Sequence, residues 1–148
     1  KELVEDAKRQ PGVQVHAGGA PLPGDGYFFP PTIISGLKEG TRLVDEEQFG
    51  PVLPVITYAD VDDVIDRANG TNFGLGGSVW GPVEKAAEAA NRMDSGTVWV
   101  NSHAILSPDV PFGGRKESGV GRQMGESTVD DNTEKKIVRI PKAKKSKL

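Results

Sequence analysis

Cysteine is absent from all 148 residues, which excludes disulfides, thiolate metal sites and a cysteine nucleophile supplied by this chain. Histidine is nearly absent: His16 and His103 stand far apart, so a histidine-rich metal centre is not expected. No apolar run approaches the ~20 residues of a membrane-spanning helix, and the opening KELVEDAKRQ is no signal peptide. The chain has no G-x-G-x-x-G and no G-x-x-x-x-G-K-[ST], so it carries neither the dinucleotide nor the P-loop phosphate fingerprint.

Basic residues are scarce outside one stretch. Seven of the 18 lie in 135–148, which holds no acidic residue; the remainder carries 11 basic against 21 acidic, a net of −10. An acidic body argues against a nucleic-acid-binding face. The basic end reads as a solvated tail, with binding to an acidic partner as the alternative. What is present is a globular composition, 36% hydrophobic and 26% charged. A chain of this length predicts one domain burying roughly 68–70% of its unfolded surface.

Residues 1–9 have helical spacing, with Leu3, Val4 and Ala7 on one side. No Ser, Thr, Asp or Asn precedes them as a cap, which suggests a truncated or proteolysed chain. VQVHAGG reads as a strand closed by glycines, PLPGDG as a turn-rich loop, and Thr32 to Ser35 as a second short strand. From residue 52 the pattern becomes regular. VLPVITY is a strand. Asp60 caps a helix bearing Val61, Val64, Ile65 and Ala68, with Gly70 at its left-handed end. GGSVW is a strand, Pro82 opens a helix with Val83, Ala86, Ala87, Ala90 and Met93 inward, and TVWVN is the third strand. Strand–helix–strand–helix–strand with short links predicts an α/β fold, an open parallel sheet with flanking helices. In such sheets ligands collect at the carboxyl ends of the strands. The irregular NSHAILSPDVPFGG that leaves TVWVN is therefore the best candidate site loop.

Four motifs occur in order: EEQFGPV at 46–52, ANGTNFGLGGSVW at 68–80, GTVWVN at 96–101 and PFGGRKESGVGR at 111–122. Together they closely resemble the C-terminal part of the catalytic domain of the NAD(P)-dependent aldehyde dehydrogenase superfamily, over residues 10–140. The resemblance implies oxidation of an aldehyde to a carboxylic acid with NAD or NADP, through a cysteine thiohemiacetal. The cysteine, the glutamate base and the dinucleotide-binding domain lie upstream in family members. This chain lacks all three and is expected to be inactive alone. The alternative is a cysteine-less interaction module that joins full-length subunits.

Carried over residue by residue, the resemblance makes Glu47 the carboxylate that binds the ribose hydroxyls and Phe49 the ring beside the nicotinamide. Residue chemistry alone would read Glu47 as a solvated charge before a Gly-Pro turn, and Phe49 as core. His103, Leu106 and Phe112 fall where the family lines its aldehyde tunnel, although ordinary packing also accounts for Phe112. The glycines of PFGGRKESGVGR are assigned to backbone geometry, with no catalytic role. The division implied is 1–131 as catalytic-domain portion, 132–141 as an oligomerisation strand and 142–148 as a basic tail. Within it, 136–140 (KIVRI) is expected to pair with a second copy, giving a homo-oligomer. The ending SKL matches the peroxisomal address, which would act in a eukaryotic source; otherwise a cytoplasmic location is expected.

Overall fold

The first helix, α1 (Glu2–Lys8), forms where the spacing places it and buries Val4 and Ala7. The computed structural model, which describes residues 1–142, divides the chain into two compact units, Lys1–Val64 and Ile65–Leu148. In the first, β1 (Gln14–Ala17), β2 (Thr32–Ser35) and β3 (Val52–Val55) form one sheet in that order. β1 runs antiparallel to β2, with an irregularity between Val15 and Ala17, and β3 runs parallel to β2. A short helix, α2 (Arg42–Asp45), lies between β2 and β3; its four residues are too few for periodicity to reveal.

The core of this unit is Val4, Ala7, Ile34, Leu37 and Leu43, flanked by Leu3, Val13, Phe29, Val44 and Val52. Thr32 is the buried polar member. Its hydroxyl donates to Pro30 O at 2.9 Å and accepts from Gly19 N at 2.9 Å, so its burial leaves nothing unpaired. Gly18 has φ +64°, and a Cβ there would lie 2.3 Å from Thr32 Oγ1, so only glycine fits this turn.

The helix α3 (Val61–Asn69) carries the boundary between the units. Asp60 caps it as expected, its Oδ1 accepting from Asp63 N at 2.9 Å. In the second unit β5 (Gly76–Val79) and β6 (Thr97–Val100) pair in parallel across α4 (Val83–Arg92). The two-residue strands β4 (Phe73–Gly74) and β7 (Arg115–Lys116) pair antiparallel, and α5 (Ser127–Asp131) follows. No helix among the described residues is long and apolar enough to cross a membrane.

The α/β class and parallel pairing stand, and three expectations are corrected. First, the three regular strands do not share one sheet: β3 pairs with β2, while β5 and β6 form their own pair. Pro54 sits within β3 opposite Ile34 and has no N–H to donate, which suits the edge position β3 occupies. Second, Gly70 is not left-handed, and the predicted apolar stripe of α3 is buried only at Ile65, with Val61 49% exposed. Third, the expected sizeable core is smaller: among the described residues one hydrophobic cluster forms, and it lies in the first unit. The chain keeps 11667 Å² exposed of roughly 22,900 Å² for the unfolded chain, so about half is buried rather than two-thirds.

Residues 136–140 form no ladder with the described residues, and Ile137, Val138 and Ile140 are 91%, 69% and 83% exposed. The SKL ending lies outside the described residues.

Candidate functional site

The candidate residues fall into two groups, one in each unit. Glu47 and Phe49 occupy the turn between α2 and β3. That turn is pinned by Gln48, whose Nε2 donates to Val52 O at 2.7 Å. Phe49 is 95% exposed, which overturns its reading as core, and it borders a groove of about 290 Å³ with Tyr27, Phe29 and Leu43. The two adjacent glutamates differ. Glu46 takes Arg42 in a two-pronged pair, Nε at 2.6 Å and Nη2 at 3.0 Å. Arg42 also reaches Glu2 at 2.7 Å. The hydrogen bonds from Arg42 hold the Glu46 carboxyl below its ordinary range. Glu47 is exposed, and no hydrogen bond or ion pair engages its carboxylate among the described residues. One carboxylate is therefore committed to the fold and its neighbour is left open.

The second group lies where β6 ends. Asn101, at φ 52°, clasps Gly81: its Oδ1 accepts from Gly81 N at 2.8 Å and its Nδ2 donates to Gly81 O at 2.9 Å. Asparagine tolerates this left-handed conformation. Ala104, at φ 53°, does so less readily, at a cost of roughly 1–2 kcal/mol, so surrounding contacts must impose the bend. His103 packs edge-on against Trp99, ring centroids 5.6 Å apart, and its Nδ1 lies 2.5 Å from Ser78 Oγ. Phe112 lies against the same indole at 6.5 Å. Leu106 is 47% exposed and joins neither contact. The structure thus brings His103 and Phe112 to one tryptophan and leaves Leu106 half-exposed beside them in sequence.

Trp99 and Ser78 were not among the predicted site residues. Both are at strand positions and face each other in the β5–β6 register. A tryptophan three residues after a glycine, at the end of an apolar strand, reads as core unless the loop's return onto it is known.

Beyond Phe112 the chain returns as PFGGRKESGVGR, with Phe112 and Gln123 exchanging backbone bonds at 2.8 and 2.7 Å. Its glycines serve backbone geometry, as expected. A Cβ on Gly96 would lie 1.7 Å from Gly113 O, and one on Gly113 2.4 Å from Gly121 O. Its cations are structural too. Arg115 pairs with Asp94 at 2.6 Å, and Lys116 Nζ donates to Asn69 O at 2.6 Å and Thr71 O at 3.1 Å. Among the described residues no group of three or more His, Asp or Glu side chains could hold a metal ion.

The sequence profile of the Aldehyde dehydrogenase family matches residues 1–138. Aldehyde dehydrogenase 1A1 of Homo sapiens is 38% identical over 146 residues, covering 98% of this chain and 29% of the relative. Retinaldehyde dehydrogenase 3 of Homo sapiens is 39% identical over 140 residues, covering 94% and 27%. Among solved structures, an NAD+ complex of aldehyde dehydrogenase from Bacillus cereus superposes with a TM-score of 0.83 at 36% identity, covering 90% of this chain and 27% of that one. The chain therefore spans less than a third of the length of the curated relatives it matches.

Proposed function

The chain belongs to the aldehyde dehydrogenase family, and from that premise we propose which part of the chemistry it serves. It fixes the ribose next to the nicotinamide through Glu47 and forms part of the aldehyde-binding wall through His103, Leu106 and Phe112. The single observation that carries this reading is the contrast between the adjacent glutamates. A ribose presents hydroxyl donors, and an ionised carboxylate with both oxygens unused can accept two of them. Glu47 fits that demand; Glu46, held by Arg42, does not. The exposed ring of Phe49 sits two residues away and offers an apolar face beside the same position.

Bound NAD or NADP would supply the hydride acceptor for oxidation of the aldehyde to the carboxylic acid. This chain's residues would orient and enclose. Glu47 restrains the sugar, Phe49 excludes water beside it, and Leu106 and Phe112 give the aldehyde an apolar surface. The thiolate nucleophile must come from elsewhere, since the 148 residues hold no cysteine. We also assign residues 136–140 to pairing with a second copy, supported by the exposure of Ile137, Val138 and Ile140. Light scattering before and after truncation at Asn132 checks this: a monomer beforehand, or a dimer that survives truncation, rejects it.

The experiment on the site uses an enzyme of full length containing this segment. Glu47→Gln lowers hydride transfer by roughly 10–150-fold, the equivalent of one charged hydrogen bond of about 1.5–3 kcal/mol. Glu46→Gln, measured alongside, leaves hydride transfer close to the parent's. The chain alone yields no NADH from any aldehyde tried. Unchanged kinetics for Glu47→Gln, or equal losses in both variants, would overturn the assignment.

A further inference from the structure

We infer that Trp99 is a positioning residue: its indole, rather than the loop's own backbone, sets the path of residues 102–106. The inference rests on the reading of this loop as part of the aldehyde-binding wall and deepens it.

Asn101 N is still in the ladder, donating to Val79 O at 2.9 Å, and main-chain bonding resumes at Val110, which donates to Ser107 O at 3.1 Å. Between them, no main-chain to main-chain bond holds residues 102–106 among the described residues. Side chains hold them instead. Trp99 Nε1 donates to Ile105 O at 2.8 Å, Ser78 Oγ meets His103 Nδ1, and Ser102 Oγ donates to Val100 O at 3.2 Å. The Ser102 bond stays within two residues and fixes little beyond the strand end. Among the described residues, only the indole and Ser78 tie the middle of the loop back to the sheet.

The indole makes three of the loop's contacts at once. Its N–H takes the Ile105 carbonyl, while its ring meets His103 at 5.6 Å and Phe112 at 6.5 Å. One rigid side chain therefore spans the loop from its third residue to its far end. The left-handed Ala104 lies between two of these contacts, which are the surroundings that impose its bend. Leu106 follows directly after the tethered carbonyl, so the tether sets its direction.

The sheet is built to admit the indole. A Cβ on Gly76 would lie 2.8 Å from Trp99 Cζ3 and 3.3 Å from its Cη2. Gly76 and Ser78 alternate along β5 and so share a face, the first making room for the ring and the second holding His103. Strand β5 thus supports the loop through two positions that act on Trp99 and on His103.

The test uses the full-length enzyme that carries this segment, with propanal and benzaldehyde as probes. Trp99→Phe keeps an aromatic ring for His103 and Phe112 but loses the donor to Ile105 O. Gly76→Ala leaves the tryptophan chemically intact and displaces it. Both variants are expected to change the ratio of kcat/KM for the two aldehydes by roughly 2–10-fold, the range for loss of one neutral hydrogen bond. The change falls on aldehyde KM rather than on kcat. Cleavage by proteinase K within 102–106 of the folded protein accelerates by a similar factor, while Trp80→Phe alters neither. Cleavage that stays at the parent rate in both variants overturns the inference, as does a fall in kcat shared by both aldehydes at unchanged KM. Leu106→Ala separates the two failures. If it shifts the aldehyde ratio while Trp99→Phe and Gly76→Ala do not, the positioning role fails and the wall stands. If faster cleavage comes with no ratio change in any variant, Leu106→Ala included, the wall reading fails.

Discussion

The two units reach stability by different means. Residues 1–64 enclose five buried apolar side chains, among them Ile34 at 0% and Leu43 at 1% exposure, whereas among the described residues from 65 onward the only buried apolar side chains are Ile65 and Ala86. The second unit relies on close backbone approach and on polar ties. Gly96 abuts Gly113, Asn69 joins Arg92 O and Asp94 N at 2.9 and 2.7 Å, and Lys116 gathers the carbonyls after α3. An apolar core depends on area removed from water, and its loss is graded. A glycine contact with backbone depends on shape, and its loss is abrupt. The candidate residues follow the same division. In the first unit Glu47 stands out on a turn above a packed core, and in the second His103 and Phe112 are held by a tryptophan and a few directional bonds.

The contrast is broken most severely at Gly96. Gly96→Ala places a methyl 1.7 Å from Gly113 O, a backbone atom that cannot rotate away. It is expected to cost about 4 kcal/mol or more and to remove protection from residues 65 onward. Amide exchange resolved by segment checks this; retained protection around β5 and β6 would show that the unit accommodates the methyl.

The first unit answers to volume instead. Ile34→Ala, at a fully buried position, is expected to lose about 2–5 kcal/mol, measured by chemical denaturation. Ile34→Val should lose only about 0.5–1.5 kcal/mol, and equal losses in the two variants would contradict a core graded by area. An effect smaller than that of Ile34→Ala belongs at the boundary. Asp60→Ala removes the cap on Asp63 N and costs about 0.5–2 kcal/mol, with Asp60→Asn recovering most of it. Thermal unfolding of the three proteins makes the comparison, and an asparagine variant no better than alanine would deny the cap its role.

Much of the local structure was legible in the sequence because local forces produce it. The spacing of Leu3, Val4 and Ala7 gave α1, the β-branched run at Thr32 to Ser35 gave β2 to the residue, and Asp60 announced the start of α3. Four ordered motifs carried the family, which the match over residues 1–138 bears out. Periodicity could not show which strand pairs with which. A strand's pattern records that one face is covered, not by what, so VLPVITY read as a neighbour of GGSVW although β3 pairs with β2. Burial failed for the same reason: Val61 and Val83 keep helical spacing, yet they are 49% and 62% exposed.

By itself, then, the sequence determined the family, the class of fold, most element positions and the absence of a thiol. Each follows from residue identity or from interactions within a few residues along the chain. Only the tertiary structure decided that Arg42, which takes Glu46 four residues along, also reaches Glu2, forty residues away, while no bond engages Glu47 among the described residues, because folding brings α1 beside α2. Only it decided that the loop after β6 folds back on Trp99, because the space for the indole is made by Gly76 on another strand.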